Sequence, residues 1–593
     1  MLRSLILPRF GGPPVIWETL GPILDAINGV LWHDSVLFAV LGIGVLFTVW
    51  SRFCQYRALT HGVAVTRGAY DHRDDPGAVN HFQALSAALS GTVGLGNIAG
   101  VSVAVALGGP GAVFWMWMVG LVGMAIKTTE VIQSMLYRSV EVRNEPHGGP
   151  MWVVSKGLAK WSPKLAPLGY AIGAIFCVTT IVSAITGGNM FQAWNVGNVT
   201  KTYFGVPEIV TGILVTVLVG AVVVGGIQRI GAIAGRLVPF MCITYLIAGL
   251  YVVIAHIGMV PEIFGLIVSA AFSPSEAQGA FVGGTAGSAL LWGMKRALFS
   301  SEVGQGSSPM AHSAAKTDEP VREGLVAGLE PFIDTLVVCT VTAFVVLLSG
   351  AWNRGPEAVL SELPKPAIAA DGKWQLEPVP LPTRSADARR VSGEWVGNEQ
   401  VYLQADLAGS DGSTERVRVY GDVRVADAGH EIVWKPVAAG TVPVLRGPEL
   451  WVEYTGASLT GHAFDRVQPG LGKWLVVLAC WLFAVSTIIS WSYYGEQAVV
   501  FLFGARSVLP YRVIYSALCL LATAGWITTD VELDSITALG TGVMLVANIP
   551  IMLLFSPEAM REYRRYIGRL DKGEFDRGKP QTITDVVEGR SKD

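Results

Sequence analysis

Apolar runs of roughly 17–25 residues, the length that crosses a bilayer as a helix, recur along most of this 593-residue chain. Eleven are predicted, near 35–53, 82–107, 111–137, 166–186, 208–227, 233–256, 280–300, 323–349, 472–500, 510–528 and 535–556. Ahead of them, residues 15–31 place apolar positions at helical spacing with acids between, the pattern of a helix lying in the interface. Residues 353–465 break the rhythm with polar, Gly- and Pro-containing sequence, and short alternating stretches at Gln400–Ala405, Glu415–Val425 and Glu449–Glu453 read as strands. Beyond 557 the polar tail reads as a short helix and then disorder. The pattern predicts an all-α polytopic membrane protein of about 11 transmembrane helices with a small β-rich extracytoplasmic insert. Its divisions are an N-terminal extracytoplasmic or interfacial segment (1–34), helices 1–8 (35–352), the insert (353–465), helices 9–11 (466–556) and a cytoplasmic tail (557–593).

Composition agrees. The chain is 51% hydrophobic and 15% charged, against roughly 25% charged in soluble domains, and its mean hydropathy is +0.47. Lipid is the expected solvent for most of it. The net charge of −3 gives a nucleic acid nothing to bind. Cys54, Cys177, Cys242, Cys339, Cys480 and Cys519 lie in or beside apolar segments with no disulfide or zinc spacing. Gly12, Pro13 and Pro14 break the first stretch before any adequate apolar core, a poor signal peptide.

Basic residues gather on alternate short loops: Arg52 to Arg73, Arg138 to Lys164, Arg229 and Arg236, Lys295 to Arg322, Arg506 and Arg512, then Arg561 to Arg569. The loops between are poor in positive charge, so the N-terminus is expected outside and the C-terminus in the cytoplasm of an inner (plasma) membrane.

Interrupted helices supply mid-membrane sites, because freed backbone groups can bind a carboxylate or an ion. Two segments qualify. The first is Ser90–Gly100, whose repeated glycines each weaken a helix by about 1 kcal/mol; a break near Gly94–Asn97 would present N–H groups to a carboxylate and carbonyls to sodium, with Asn97 capping or touching ligand. Such glycines equally suit close helix packing. The second is Gly293–Pro309, five spans later, the spacing of two inverted five-helix halves. Ser486 and Thr487 would face the first break and complete a sodium shell, with Trp491 on the same helix face walling the substrate. Of the intramembrane charges, Lys127 with Glu130 and Glu330 with Asp334 read as structural or gating pairs, and Glu302 and Glu496 as helix caps or site residues. No nucleotide loop or nucleophile–base pair is legible, so no enzyme is expected.

These residues resemble the alanine or glycine:cation symporter family, the sodium:alanine symporters. The likeness lies in GTVGLGNIAG (Gly91–Gly100), GGPGAVFWMW (Gly108–Trp117), GNMFQ ending at Gln192, LFSSE ending at Glu302, FIDT ending at Thr335 and WSYYGE (Trp491–Glu496). It covers about 30–570 apart from the insert. It implies a leucine-transporter-like 5+5 inverted repeat and sodium-coupled import of a small neutral amino acid, alanine or glycine, by alternating access. Carried over by motif, the amino acid would meet Gly94, Gly96, Asn97, Gln192, Phe299, Ser300, Ser301 and Trp491, and sodium would meet Thr92, Gly94, Ser486 and Thr487. Leu95, where many relatives have a small hydroxyl residue, and Ser301, where they usually have Asn, depart from the pattern. The expected partners are a small amino acid, sodium and membrane lipid. The insert motivates an alternative, an amino-acid sensor built on a transporter core.

Overall fold

The computed structural model describes residues 15–72, 74–141, 145–272, 288–368, 374–383, 395, 400–408, 414–426, 429–437, 442–454, 457–525, 530–575, 577–578 and 581–589. Residues 280–287 of the seventh predicted span lie outside these.

Seven helices among the described residues are long and apolar enough to cross a bilayer, and the bent pair His81–Thr92 and Gly96–Gly108 makes an eighth. The protein is a mostly helical, multi-pass membrane protein. Three of the eleven predicted spans are represented by shorter helices: Glu208–Val223, Ser288–Ser301 and Val508–Ala522. Glu208–Val223 stops because the chain turns at Gly225–Gly226, where Gly226 takes φ +65°. Another short apolar helix, Val260–Ala270, falls where a loop was expected.

Helix ends follow local chemistry. Asn80 caps His81–Thr92 through a 2.8 Å bond from the Gln83 N–H, and Phe204 is followed by left-handed Gly205. The helix Val15–Leu31 docks by Asn28 Nδ2 on the Ser535 carbonyl at 2.9 Å. The tail is ordered further than its polarity predicts: Asp530–Asp571 is one helix, and Ile583–Glu588 folds back so that Val586 is buried and its carbonyl accepts from Asn80 Nδ2 at 2.7 Å.

The insert forms an antiparallel half-barrel in the order 358–359, 449–452, 400–408, 414–426, 429–434, 379–380. Val401, Leu403 and Ala405 are buried on one face opposite Gly421, Val419 and Val417. Its exit helix, Ala457–Val467, packs on the bent span, where Thr460 Oγ1 donates to the Ile98 carbonyl at 2.9 Å.

Candidate functional site

Two interrupted helices meet, the bent pair His81–Thr92 and Gly96–Gly108 and the helix Ser288–Ser301. The first stops at Thr92, where Val93 turns extended. Asn97 Oδ1 then catches the Gly94 N–H at 2.8 Å, and the Asn97 N–H returns to the Gly94 carbonyl at 3.1 Å. A π-helical turn, Gly96–Gly100, restarts the helix at a 52° bend. The N–H groups opening such a restart have no carbonyl four residues back to bond. The second span, Ser288–Ser301, stops where Glu302, Gly304 and Gly306 take φ of +52°, +79° and +78°, and restarts as Ser308–His312. Positive φ at glutamate is the strained conformation of the set. An added Cβ on Gly96 would lie 3.6 Å from Ser300 Cα, so the breaks face each other.

Between them is a cavity of about 60 Å³, lined by Gly94, Gly96, Gln192, Phe299, Ser300 and Trp491 of the expected substrate residues, together with Thr92 and Thr487. Asn97, Ser301 and Ser486 are not in its lining. Asn97 is turned to the backbone cap and to Asp334, while Ser301 donates back to the Ala297 carbonyl at 2.6 Å and Ser486 back to that of Phe483 at 2.9 Å.

A second π-helical turn, Thr186–Met190, supplies the third wall and sets Gln192 facing in. Gln192 Nε2 donates to the Gly187 carbonyl at 3.1 Å, which leaves its buried Oε1 without a partner. Trp491 lies on Gly188, where an added Cβ would come within 2.4 Å of the Trp491 Cβ. Its Nε1 donates to Glu302 at 3.1 Å, so the indole and the strained glutamate hold each other at the cavity edge.

At the positions expected for sodium, Thr487 Oγ1 donates to the Ser90 carbonyl at 3.2 Å, and a Cβ on Gly94 would come within 2.9 Å of the Thr487 hydroxyl. Thr92 Oγ1 turns back to Ala88 and Leu89 at 3.5 Å. The gathered donors are neutral oxygens, the set a hard cation prefers. Such an ion is carried cargo, a co-substrate and not a cofactor.

The charges pair across helices. Lys127 meets Glu330 at 3.6 Å and Ser308 at 2.6 Å, while Glu130 accepts from Asn548 at 2.6 Å. The expected Lys127–Glu130 pair is thus replaced, because both side chains find partners on neighbouring helices. Asp334 takes bonds from Asn97 at 2.5 Å and Thr335 at 2.8 Å, and Glu496 is clamped by Arg512 at 2.7 and 2.9 Å. Sequence reasoning left Glu302 undecided and missed Gln305, Thr537 and Thr541, all in the cavity wall. The Gly187-Gly188 pair was the available signal for the third wall.

A many-span protein whose cavity lies between two interrupted helices has the build of a secondary transporter. The sodium:alanine symporter family description matches residues 17–376 and 438–579, and the chain belongs to that family. It is a family of amino-acid and sodium symporters in membranes, not of enzymes. The sodium/alanine symporter AgcS of Methanococcus maripaludis is 31% identical over 544 residues, 92% of this chain and 96% of that one. The putative sodium/proton-dependent alanine carrier YrbD of Bacillus subtilis is 30% identical over 551 residues, 92% and 93% of the two chains. The probable sodium/glutamine symporter GlnT of the same species is 34% identical over 337 residues, 57% of this chain and 67% of that one.

Proposed function

We propose that this protein imports a small neutral amino acid, alanine or glycine, together with sodium by alternating access. The observation that carries the reading is the buried Gln192 Oε1, which has no protein partner and borders the cavity between the two breaks. A buried acceptor left unmade costs about 1–3 kcal/mol, and a bound ammonium group would satisfy it. The carboxylate would take the N–H groups that open the restarted first span, at Leu95 and Gly96. Trp491, fixed by Gly188 and Glu302, would limit side-chain size. Sodium would sit by the Ser90 carbonyl and Thr487 Oγ1, bridging the first broken span and the helix Leu471–Phe503. Its binding would order the break and raise amino-acid affinity, and the amino acid would raise sodium affinity equally.

In this reading the chain crosses an inner (plasma) membrane eleven times, N-terminus outside and C-terminus inside, with two inverted five-helix halves after the first span. The alternating basic loops support the orientation. The shorter helices Glu208–Val223, Ser288–Ser301 and Val508–Ala522 would supply the remaining crossings.

Uptake of labelled alanine and glycine into proteoliposomes, with and without an inward sodium gradient, tests the function. Uptake that ignores sodium overturns it. Gln192→Leu keeps side-chain bulk and removes the acceptor, so apparent amino-acid affinity should fall roughly tenfold or more; unchanged affinity would reject the site.

A further inference from the structure

Beneath the cavity, at the end facing the basic loops, lies a chain of ionisable groups that the sodium and amino-acid sites leave unused. His312 ends the short helix by which the second broken span restarts and is 0% exposed. Both its ring nitrogens meet acid: Nδ1 lies 2.5 Å from Glu323 and Nε2 lies 2.8 Å from Glu330. The other Glu323 oxygen contacts Nδ1 of His81, the first residue of the first broken span. One buried carboxylate therefore ties together the inner ends of both interrupted spans and the helix Pro320–Ala327.

Protons can be counted here. An ionised carboxylate only accepts, and an imidazole nitrogen donates only when it carries hydrogen. If Glu323 and Glu330 are both ionised, His312 must carry hydrogen on both nitrogens. If His312 is neutral, one of the two acids must be protonated to donate to it. Either way Glu323, His312 and Glu330 together hold one proton more than two ionised acids and a neutral ring.

Building on the alternating-access reading, we propose that these three side chains form a proton-binding latch on the cytoplasmic exit. The extra proton binds while the inner ends of the broken spans are held together, and it leaves to the cytoplasm when they part. No covalent bond other than that to this hydrogen changes. The proton enters and leaves on one face, so the latch makes exit opening sensitive to cytoplasmic pH without carrying protons across.

The surroundings are consistent with that role. From the helix Gly111–Tyr137, Lys127 faces Glu330, and Arg138 donates to the Ser313 carbonyl at 2.9 Å. From the preceding loop, Asp71 lies 3.8 Å from His81 Nε2. Glu130, bonded to Asn548, and Glu496, held by Arg512, are the acids on the other helices packed here. Burial disfavours a charged ring, but an acid on each ring nitrogen compensates it. A ring held between two acids keeps its proton above the free imidazole value of about 6.5, so the latch is loaded below that pH and is lost as pH rises beyond it.

Amide hydrogen exchange on the full chain in proteoliposomes, corrected for intrinsic rates, reads opening without needing transport. Above about pH 6.5, exchange across 81–92 and 308–323 should rise by up to about tenfold per pH unit. Glu330→Gln keeps shape but can donate to a neutral ring, so its slope should vanish; His312→Gln should behave alike. A flat profile in the unmodified protein, or a full slope in Glu330→Gln, overturns the latch even where sodium-driven uptake is intact. A pH-dependent slope that Glu330→Gln abolishes, in a protein with no sodium-driven uptake, upholds the latch and counts against the symport reading instead.

Discussion

The two interrupted spans break in different ways. The first uses little more than glycines at ordinary backbone angles: it bends by 52°, and one side chain, Asn97, closes the gap by catching the Gly94 N–H at 2.8 Å. The second is a loop with three positive φ values, packed at Gly306 against Pro150 and Asn548. A break made by missing side chains needs a polar plug to be rigid, whereas one made by left-handed turns is rigid through backbone conformation. The first is therefore the more easily reordered by a bound ion, and the second is the firmer platform.

The largest effect should come from the second. Gly306→Ala must hold a side chain at φ +78° and place Cβ 2.4 Å from the Pro150 ring, which cannot swing away. Strain of about 1–3 kcal/mol from φ alone, with the clash added, should lower thermal stability by several kcal/mol and leave little folded protein in a melting assay. Wild-type melting would show that the loop is pliable.

A smaller loss is expected at the plug. Asn97→Ala removes the acceptor for Gly94 and a donor to buried Asp334. Asp334 keeps the Thr335 bond, so the orphaned Gly94 N–H sets the cost at about 1–3 kcal/mol, and in the proposed reading sodium would still order the break. The variant should insert, melt lower, and regain part of the difference as sodium is raised. Melting that does not respond to sodium would undo the view that the ion sets this segment.

How these features showed in the sequence follows from the same physics. Both breaks are legible in the sequence because glycine clusters inside apolar runs, Ser90–Gly100 and Gly293–Pro309, carry a cost that needs a purpose. The role of Asn97 was half legible, since a short amide beside a break can cap or bind ligand, and only the geometry turns it to the cap. The π-helical turns Thr186–Met190 and Phe332–Cys339 were not legible, because one residue of extra winding leaves composition unchanged. Thr537 and Thr541 reach the cavity from a helix hundreds of residues away, through packing that no local pattern encodes. The latch was obscured because Glu330 and Asp334 were read as neighbours on one helix, while their partners, His312 and Asn97, lie on two others.

The smallest effect should come from Gly96→Ala, and it separates the breaks most finely. The new methyl would sit 3.6 Å from Ser300 Cα, ordinary van der Waals contact, and Gly96 has no positive φ to strain. Helix propensity would favour alanine by about 1 kcal/mol, so melting should hold or rise slightly. The methyl would nonetheless narrow the gap between the breaks, where the cavity lies. If the amino acid binds there, alanine uptake should fall more than glycine uptake, because the larger substrate meets the methyl first. Equal loss of both would place the size limit elsewhere, at Trp491 on its Gly188 seat.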